Sequence, residues 1–227
     1  MTFWSAGGSS SSQTCWVLGG GQFGRRAIEQ LRTIDPACEI VVVDNRQILD
    51  LPKEIKVVCA DGVAWFTENF TSAARVDAIV PALPIHLAAD WLTRRFKSEL
   101  GYVLPVPIPD AHLHHFPHPL RLSSSRLVTS HADFICPDNC PEPADICTYT
   151  KKQRPLSLDR LLATLVIGDF IPLILTSRQF APGVGGFFPE DLWRLLEKFR
   201  AIPGTPALIG TACKCHGIVD GLCYNVE

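Results

Sequence analysis

A glycine-rich turn between an apolar run and an amphipathic segment is the feature that most constrains how this chain folds. Thr14–Leu18 predicts a short buried strand, and residues 23–34 predict a helix. Residues 19–24 lie between them with the sequence Gly-Gly-Gly-Gln-Phe-Gly, which contains the G-x-G-x-x-G pattern. In this strand–turn–helix context the pattern predicts an anion site, because the helix N-terminus offers N–H groups and the positive end of its dipole.

Each glycine of the pattern has a physical role in a dinucleotide-binding turn. Gly19 permits the tight turn, Gly21 lets the backbone approach a pyrophosphate, and Gly24 lets the helix pack close to the strand. Asp44 ends the second predicted strand about twenty residues further on, where a carboxylate accepts hydrogen bonds from the adenosine ribose. Asp44 disfavours a 2′-phosphate, whereas Arg46 keeps NADP(H) open beside NAD(H). The alternative is a helix–sheet turn that binds no ligand.

Strands and helices alternate along most of the chain, which favours an α/β fold with a largely parallel sheet and right-handed crossovers. Together with the glycine turn, this predicts a Rossmann-like architecture with helices on both faces of the sheet. Further helices are predicted over residues 63–70, 86–100, 158–167 and 189–200.

The prolines and cysteines of residues 105–150 predict an irregular Cys/Pro-rich insertion. We therefore expect a flexible N-terminal segment (1–13), a dinucleotide-binding domain (14–104) and a Cys-rich α/β part (105–227). The last part either continues the same sheet or forms a second lobe.

Three segments resemble the nucleotide-binding domain of the TrkA N-terminal (RCK) type: residues 17–24, Val43-Asp44 and Ala60-Asp61-Gly62. The resemblance covers about residues 14–100 and implies a NAD-binding Rossmann domain, with Asp61 close to the adenine side of the nucleotide. It also implies, as one alternative, a nucleotide-sensing subunit that associates with a membrane transporter. The triple glycine resembles the siroheme-synthase dehydrogenase domain more weakly. The predicted cofactor-binding residues are Gly19, Gly21, Gln22, Phe23, Gly24, Asp44, Asn45 and Asp61.

The charge balance argues against several classes of function. The chain carries 21 basic and 23 acidic side chains, a net charge of −2, so no global field attracts nucleic acid or an anionic membrane surface. No apolar stretch is long enough to predict a membrane span. Residues 1–13 lack the pattern of a signal peptide. We therefore expect a cytoplasmic protein that binds a small-molecule ligand, with a monomer or a homodimer both open.

Most of the nine cysteines lie in two groups, one in the proline-rich segment and one near the C-terminus. Clustered cysteines in a cytoplasmic protein more often bind metal or react than form structural disulfides. The predicted metal ligands are Cys136, Cys140, Cys147, Cys213, Cys215 and His216, for zinc or an iron–sulfur cluster. Lys214 is expected to favour thiolates by lowering the pKa of its neighbours. Reversible thiol redox chemistry and inert loop thiols are the alternatives.

Two further residues are candidates for catalysis. His86 begins a predicted helix after the fourth strand, where it is either a cap or a proton donor. Arg178 lies in the glycine-rich segment 177–186, where a guanidinium can clamp a carboxylate or phosphate; the alternative is a long turn with a surface arginine. Several segments follow predicted strands: the glycine turn, Asp44, Asp61, His86, residues 177–186 and residues 211–217. If those strands are parallel, these segments lie at one edge of the sheet and form one composite site.

These observations favour a cytoplasmic NAD(P)-binding oxidoreductase with a cysteine-ligated metal or iron–sulfur site near the nucleotide, in which Arg178 orients an anionic substrate. Two alternatives stay open. One is a TrkA-like regulatory subunit with a structural zinc site and no chemistry of its own. The other is a thiol-based redox sensor.

Overall fold

The computed structural model describes residues 12–48, 50–97 and 101–226. The strands are, in chain order, β1 (Thr14–Leu18), β2 (Glu39–Asp44), β3 (Lys56–Cys59), β4 (Ala78–Pro81), β5 (Gly101–Pro105), β6 (Leu120–Arg121), β7 (Arg126–Ser130), β8 (Ile171–Thr176), β9 (Arg178–Ala181), β10 (Val184–Gly186), β11 (Pro206–Ala212) and β12 (His216–Val226). The helices are α1 (Gln22–Ile34), α2 (Gly62–Asn69), α3 (Leu87–Lys97), α4 (Leu158–Ala163) and α5 (Pro189–Arg200). A 3₁₀ helix occupies Asp110–His115. Of the predicted flexible segment 1–13, residues 1–11 lie outside the described residues.

The chain divides into two compact units. One comprises the chain up to Pro84 together with Arg178–Pro189, and the other comprises Ile85–Ser177 together with Glu190–Glu227. The sequence predicted a domain boundary between residues 104 and 105. In the structure α3 and β5 belong to the second unit, and β9 and β10 return to the first.

The first unit is built on a parallel four-stranded sheet with the strand order β3-β2-β1-β4. Its central strands are almost wholly buried, as expected where both faces of a parallel sheet are covered. Cys15 and Val17 belong to the core that also holds the buried residues of α1. Trp16, which points to the opposite face, packs edge-on against the aromatic side chains of α2. The two helices therefore cover opposite faces of this sheet.

The glycine-rich segment predicted as a loop over residues 177–186 forms an antiparallel hairpin of β9 and β10 in the first unit. Phe180, Ala181 and Val184 are buried in the same core as β1 and α1. Gly186 lies so close to the carbonyl oxygen of Ile79 that a Cβ would overlap it. The backbone N–H and C=O groups of Ile79 and Phe187 also bond each other, which attaches the hairpin to β4. This segment forms strands because its side chains pack into the core of the first unit. A local sequence pattern does not reveal such long-range packing.

The second unit is built on a mixed sheet with the order β6-β7-β12-β11-β8, and β5 also pairs with β12. Only β11 and β8 run parallel, while β12 is antiparallel to β5, β7 and β11. The expectation of largely parallel strands therefore fails here. The reason is a tight turn at residues 213–216, which folds β12 back along β11 through a bond from the Cys213 N–H to the His216 carbonyl.

The predicted α/β class is confirmed, with a parallel sheet, a mixed sheet and helices. The helix predicted over residues 189–200 has those bounds, and its acidic first turn and the buried Leu192, Leu195, Leu196 and Phe199 explain why. The helix predicted over residues 158–167 ends early, at Ala163. In the predicted insertion over 105–150, a 3₁₀ helix, β6 and β7 are found. Among the helices that the structure describes, we find none with the length and apolarity needed to cross a bilayer.

Candidate functional site

The glycine turn, residues 19–24, follows β1 at the edge of the sheet where β1, β2 and β3 all end. Gly19 has a φ of +106°, a conformation that L side chains rarely adopt, and its N–H donates to the carbonyl of Val43 at 2.7 Å. A Cβ on Gly24 would overlap the carbonyl oxygen of Gly19. A Cβ on Gly21 would meet no atom within 4 Å. Gly19 and Gly24 are therefore required by the fold, whereas Gly21 leaves open space above the backbone.

Asp44, at the end of β2, is held by the same turn. One carboxylate oxygen accepts the Gly20 N–H at 2.7 Å, and the other accepts the Arg46 N–H at 2.9 Å. Burial acts to raise the pKa of Asp44, but the Gly20 and Arg46 N–H groups and the Arg46 guanidinium outweigh it, so the pKa lies below its ordinary value. Asp44 is therefore a preformed carboxylate beside the glycine turn.

The other predicted cofactor-binding residues lie around this turn. Gln22 and Phe23 are exposed in the first turn of α1, and Asn45 is exposed directly after β2. Asp61 is the N-cap of α2, where its carboxylate accepts the Ala64 N–H at 2.7 Å. Because the carboxyl ends of parallel neighbouring strands share one edge, β1, β2 and β3 bring these residues to the same side of the first unit.

Arg178, a predicted catalytic residue, lies at the start of β9 in the first unit. Its guanidinium carbon lies 5.4 Å from the centre of the Phe188 ring, a cation–π distance. Arg178 is therefore held by a contact with Phe188, which lies just after the hairpin of β9 and β10. Its assignment as a clamp for an anionic substrate stays a prediction.

His86, the other predicted catalytic residue, belongs to the second unit and is buried there, at 1% exposure. Its Nδ1 lies 2.6 Å from a carboxylate oxygen of Asp220, and its Nε2 lies 2.9 Å from the hydroxyl of Thr211. Asp220 also pairs with Arg126, which in turn pairs with Asp90 at 2.6 Å. The network joins α3 to β7, β11 and β12, so His86 has a clear structural role, and its role in catalysis stays a prediction.

Sequence reasoning missed Asp220, Arg126 and Thr211. The available signal was Asp220 itself, a carboxylate within a largely apolar strand, because a buried charge needs a partner. Burial lowers the pKa of Arg126, but the carboxylates of Asp90 and Asp220 outweigh it, and the pKa is raised. The positive charge of Arg126 thus stabilises the buried Asp220 carboxylate, whose burial without a partner would cost free energy.

The predicted metal ligands are divided between two cavities of the second unit. Four of the cysteines line one cavity of about 230 Å³, here called the thiol cavity: Cys136, Cys140, Cys147 and Cys215. Cys213 and His216 line a different cavity of about 530 Å³, together with Thr211 and Ser177. In the part of the chain that the structure describes, no group of three or more His, Cys, Asp or Glu side chains is placed so that it could hold a metal ion. The six-residue ligand set is therefore not assembled at one point.

The charges around the thiol cavity favour at least one thiolate. Hydrogen bonds from Thr150 and from the Tyr149 N–H, with a contribution from Arg154, lower the pKa of Cys147 to about 7. Arg154 donates a hydrogen bond to the sulfur of Cys215, but burial outweighs its effect, and the pKa of Cys215 is raised. Burial and the neighbouring thiols raise the pKa of Cys136, which places its sulfur among the others.

The expected effect of Lys214 is not found at Cys213. The Lys214 ammonium donates to the carbonyl oxygen of Glu142 at 3.0 Å, and its N–H donates to the Glu142 carboxylate at 2.7 Å. Burial, followed by the Glu142 carboxylate, raises the pKa of Cys213 to about 12. Lys214 therefore positions an acidic side chain beside Cys213, and the thiol form is favoured.

Comparison with known proteins bears on the second unit most directly. Residues 88–225, more than half of the chain, match a protein family described as "Uncharacterized protein, C-terminal domain". The chain belongs to this family. A relative described as "Uncharacterized protein" from Archaeoglobus fulgidus is 25% identical over 222 residues, which cover 91% of this chain and 97% of the relative. The match to this relative therefore extends beyond the family region into the residues that precede it. No solved structure matches the chain.

Proposed function

We propose that this protein is a cytoplasmic NAD(H)-binding oxidoreductase whose first unit holds the nucleotide at the glycine turn. The observation that carries the proposal is the different surroundings of its three pattern glycines. Gly19 and Gly24 are fixed by backbone contacts, while Gly21 faces open space. This is the division of roles that a dinucleotide-binding turn requires.

The strand order supports the same proposal. The order β3-β2-β1-β4, all parallel, is that of the first four strands of the doubly wound order 3-2-1-4-5-6, in which the nucleotide binds beyond the carboxyl end of the first strand. The resemblance of residues 14–100 to TrkA-type domains agrees with it.

In this arrangement, each part of the nucleotide would lie beside a protein group that can bind it. The pyrophosphate would lie over Gly21 and the first N–H groups of α1, which have no carbonyl partner within the helix. The Asp44 carboxylate would accept the ribose hydroxyls, while Asn45 and Asp61 would border the adenosine. Asp44 repels a 2′-phosphate, so we propose NAD(H) over NADP(H). When bound, the nicotinamide supplies hydride-transfer chemistry.

Calorimetric titration of the full chain with NADH, NAD⁺, NADPH and ADP tests the binding. We expect NADH to bind at least roughly tenfold more tightly than NADPH, a difference of about 1.4 kcal/mol. Gly21→Val should weaken NADH binding at least about tenfold, because its side chain occupies the space proposed for the pyrophosphate, while the melting temperature changes by no more than about 4 °C. Thr33→Val, at the exposed far end of α1, is the matched control and should bind NADH as the wild type does. Unchanged affinity in Gly21→Val would refute the site.

One observation favours a second candidate function, a nucleotide-sensing regulatory protein. Among the described residues, the parallel sheet of the first unit has no counterpart of the last two strands of the order 3-2-1-4-5-6, which belong to the second mononucleotide-binding half. A sensor of this kind would bind ADP about as tightly as NADH and would not oxidise NADH when an artificial electron acceptor is added. An oxidoreductase would oxidise it, so absorbance of the nicotinamide separates the two functions.

A further inference from the structure

The thiol cavity is a candidate site of a different kind from the glycine turn. It lies wholly within the second unit and is lined by four cysteines, three from the loop between β7 and α4 and one from the turn between β11 and β12. We propose that Cys136, Cys140, Cys147 and Cys215 hold an iron–sulfur cluster in this cavity. The proposal does not rest on the nucleotide site, because no residue is shared between the two.

Local backbone hydrogen bonds hold three of the four cysteines in place. Cys140 closes a turn by donating its N–H to the carbonyl of Pro137 at 3.0 Å. Cys147 both donates to Lys152 and accepts from Lys151, in a tight turn closed by the pairing of Ile146 with Gln153. The carbonyl of Cys215 accepts the His131 N–H at 2.8 Å at the end of β7. The loop and the sheet are therefore joined where the fourth cysteine lies.

The aromatic pair Phe134–Tyr149 gives the loop a packed support. The two rings stack with their centres 4.4 Å apart and an interplanar angle of 18°. They flank the segment that carries Cys136 and Cys147. A loop held in this way loses less conformational entropy when its thiolates bind one centre.

The arrangement favours a cluster over a single ion. Four thiolates without a carboxylate are the ligand set of iron–sulfur clusters and of some zinc sites. A single zinc ion holds its four ligands about 2.0–2.3 Å from one point. A cluster places an inorganic core between the sulfurs, so its ligands stand further apart. A cavity of about 230 Å³ between the thiols matches that need.

Arg154 supplies positive charge and hydrogen-bond donors to this cavity. It donates to the sulfur of Cys215, and its buried Nε has no hydrogen-bond partner among the described residues. Buried donors of this kind are normally satisfied. The sulfurs of an anionic cluster would accept such a bond, and hydrogen bonds to sulfur are one of the means by which proteins tune clusters.

The turn between β11 and β12 provides a matched pair of variants. Cys213 and Cys215 lie two residues apart, but Cys215 lines the thiol cavity while Cys213 lines the other one. Full-length wild type, Cys215→Ser and Cys213→Ser are purified without oxygen and reconstituted with iron and sulfide. Iron, zinc and acid-labile sulfide are then measured together with the visible absorption spectrum.

We expect the wild type and Cys213→Ser to bind iron and sulfide in equal amounts, with more than one iron per chain and broad visible absorption. Cys215→Ser should lose most of both, and circular dichroism should show that it remains folded. If it does not fold, Cys136→Ser, in the loop, replaces it. One zinc per chain without sulfide, a disulfide among the four cysteines without iron, or equal losses in both turn variants would each overturn the proposal. NADH affinity is expected to survive Cys215→Ser, and iron content to survive Gly21→Val, so failure of one site is distinguishable from failure of the other.

Discussion

The glycine turn of the first unit and the thiol cavity of the second unit are built in different ways. The turn is a short continuous segment, and the groups proposed to face the nucleotide are backbone N–H groups at the start of α1. The thiol cavity is lined by side chains from two segments far apart in sequence, and the pairing of β7 with β12 holds Cys215 near the loop. The first site is dictated by local geometry, and the second by tertiary assembly.

This difference determines how each site responds to amino-acid substitution. A site made of backbone fails when a side chain intrudes, so its critical positions are glycines. A site made of side chains fails when the supporting contacts loosen, even if the ligands themselves are kept. The expected outcomes below test this contrast, from the largest effect to the smallest.

Gly24→Ala should be the most damaging of these changes to the first unit. The new Cβ would overlap the Gly19 carbonyl oxygen, a backbone atom that has little room to move, and we expect a loss of about 3 kcal/mol in the free energy of unfolding. Gly21→Ala, where the Cβ meets nothing within 4 Å, should stay within about 1 kcal/mol of the wild type. Urea denaturation of both variants measures this. Equal destabilisation would show that the two glycines do not differ as described.

His86→Ala should destabilise the second unit by about 2 kcal/mol, because it removes a buried ring that bonds Asp220 and Thr211. The exposed His114 is the control, and His114→Ala should change the free energy of unfolding by less than about 0.5 kcal/mol. Thermal and urea denaturation are the measurements. A neutral His86→Ala would mean that the network does not hold the sheet to α3.

Asp44→Asn should cost about 1–2 kcal/mol at neutral pH, because an amide can accept only one of the two N–H bonds that the carboxylate accepts. The pKa of Asp44 is lowered in the folded protein, so its stabilising effect is complete above the unfolded pKa of about 3.9 and is lost as the pH falls through the folded pKa.

The stability difference between wild type and Asp44→Asn should therefore narrow below about pH 4, which denaturation at a series of pH values will show. Arg46→Ala, which removes a 3.7 Å ion pair from a side chain that is 83% exposed, is the matched control and should cost less than about 0.5 kcal/mol. A difference that widens at low pH would contradict the assigned carboxylate.

Tyr149→Ala should have the smallest effect on global stability, below about 1 kcal/mol, because its exposed ring contributes mainly one stacking contact. Its effect should be local. Limited proteolysis should cut the loop around residues 134–153 faster than in the wild type, with the denaturation midpoint little changed. If the cutting rate does not change, the stack does not support the loop.

The same contrast explains what the sequence could predict. The strand, turn and helix around residues 19–24 and the helix α5 follow from local patterns of apolar residues, glycines and caps. The hairpin of β9 and β10 does not, because Phe180 and Val184 become strand residues only by packing into the core of the first unit. The long strand β12 was missed because Gly217 and Gly221 interrupt its pattern and two of its partners, β5 and β7, lie far from it in the sequence.

The candidate sites divide in the same way. The tight turn at Gly19 and the close packing at Gly24 could be predicted from their spacing alone, since both depend on neighbouring backbone. The separation of Cys215 from Cys213 could not, because it depends on the direction in which the turn presents each side chain. The partners of His86 lie more than a hundred residues away, on β11 and β12. The composite site predicted from all these segments together stays a prediction.

Hydrogen–deuterium exchange of the full chain, with and without saturating NADH, tests the central claim most directly because it reports where the nucleotide binds. We expect slower exchange of the N–H groups of the glycine turn and of the residues after β2, with the loop around the thiol cavity unchanged. Slower exchange confined to the second unit, or binding of NADH without any protection of residues 19–24, would contradict the account.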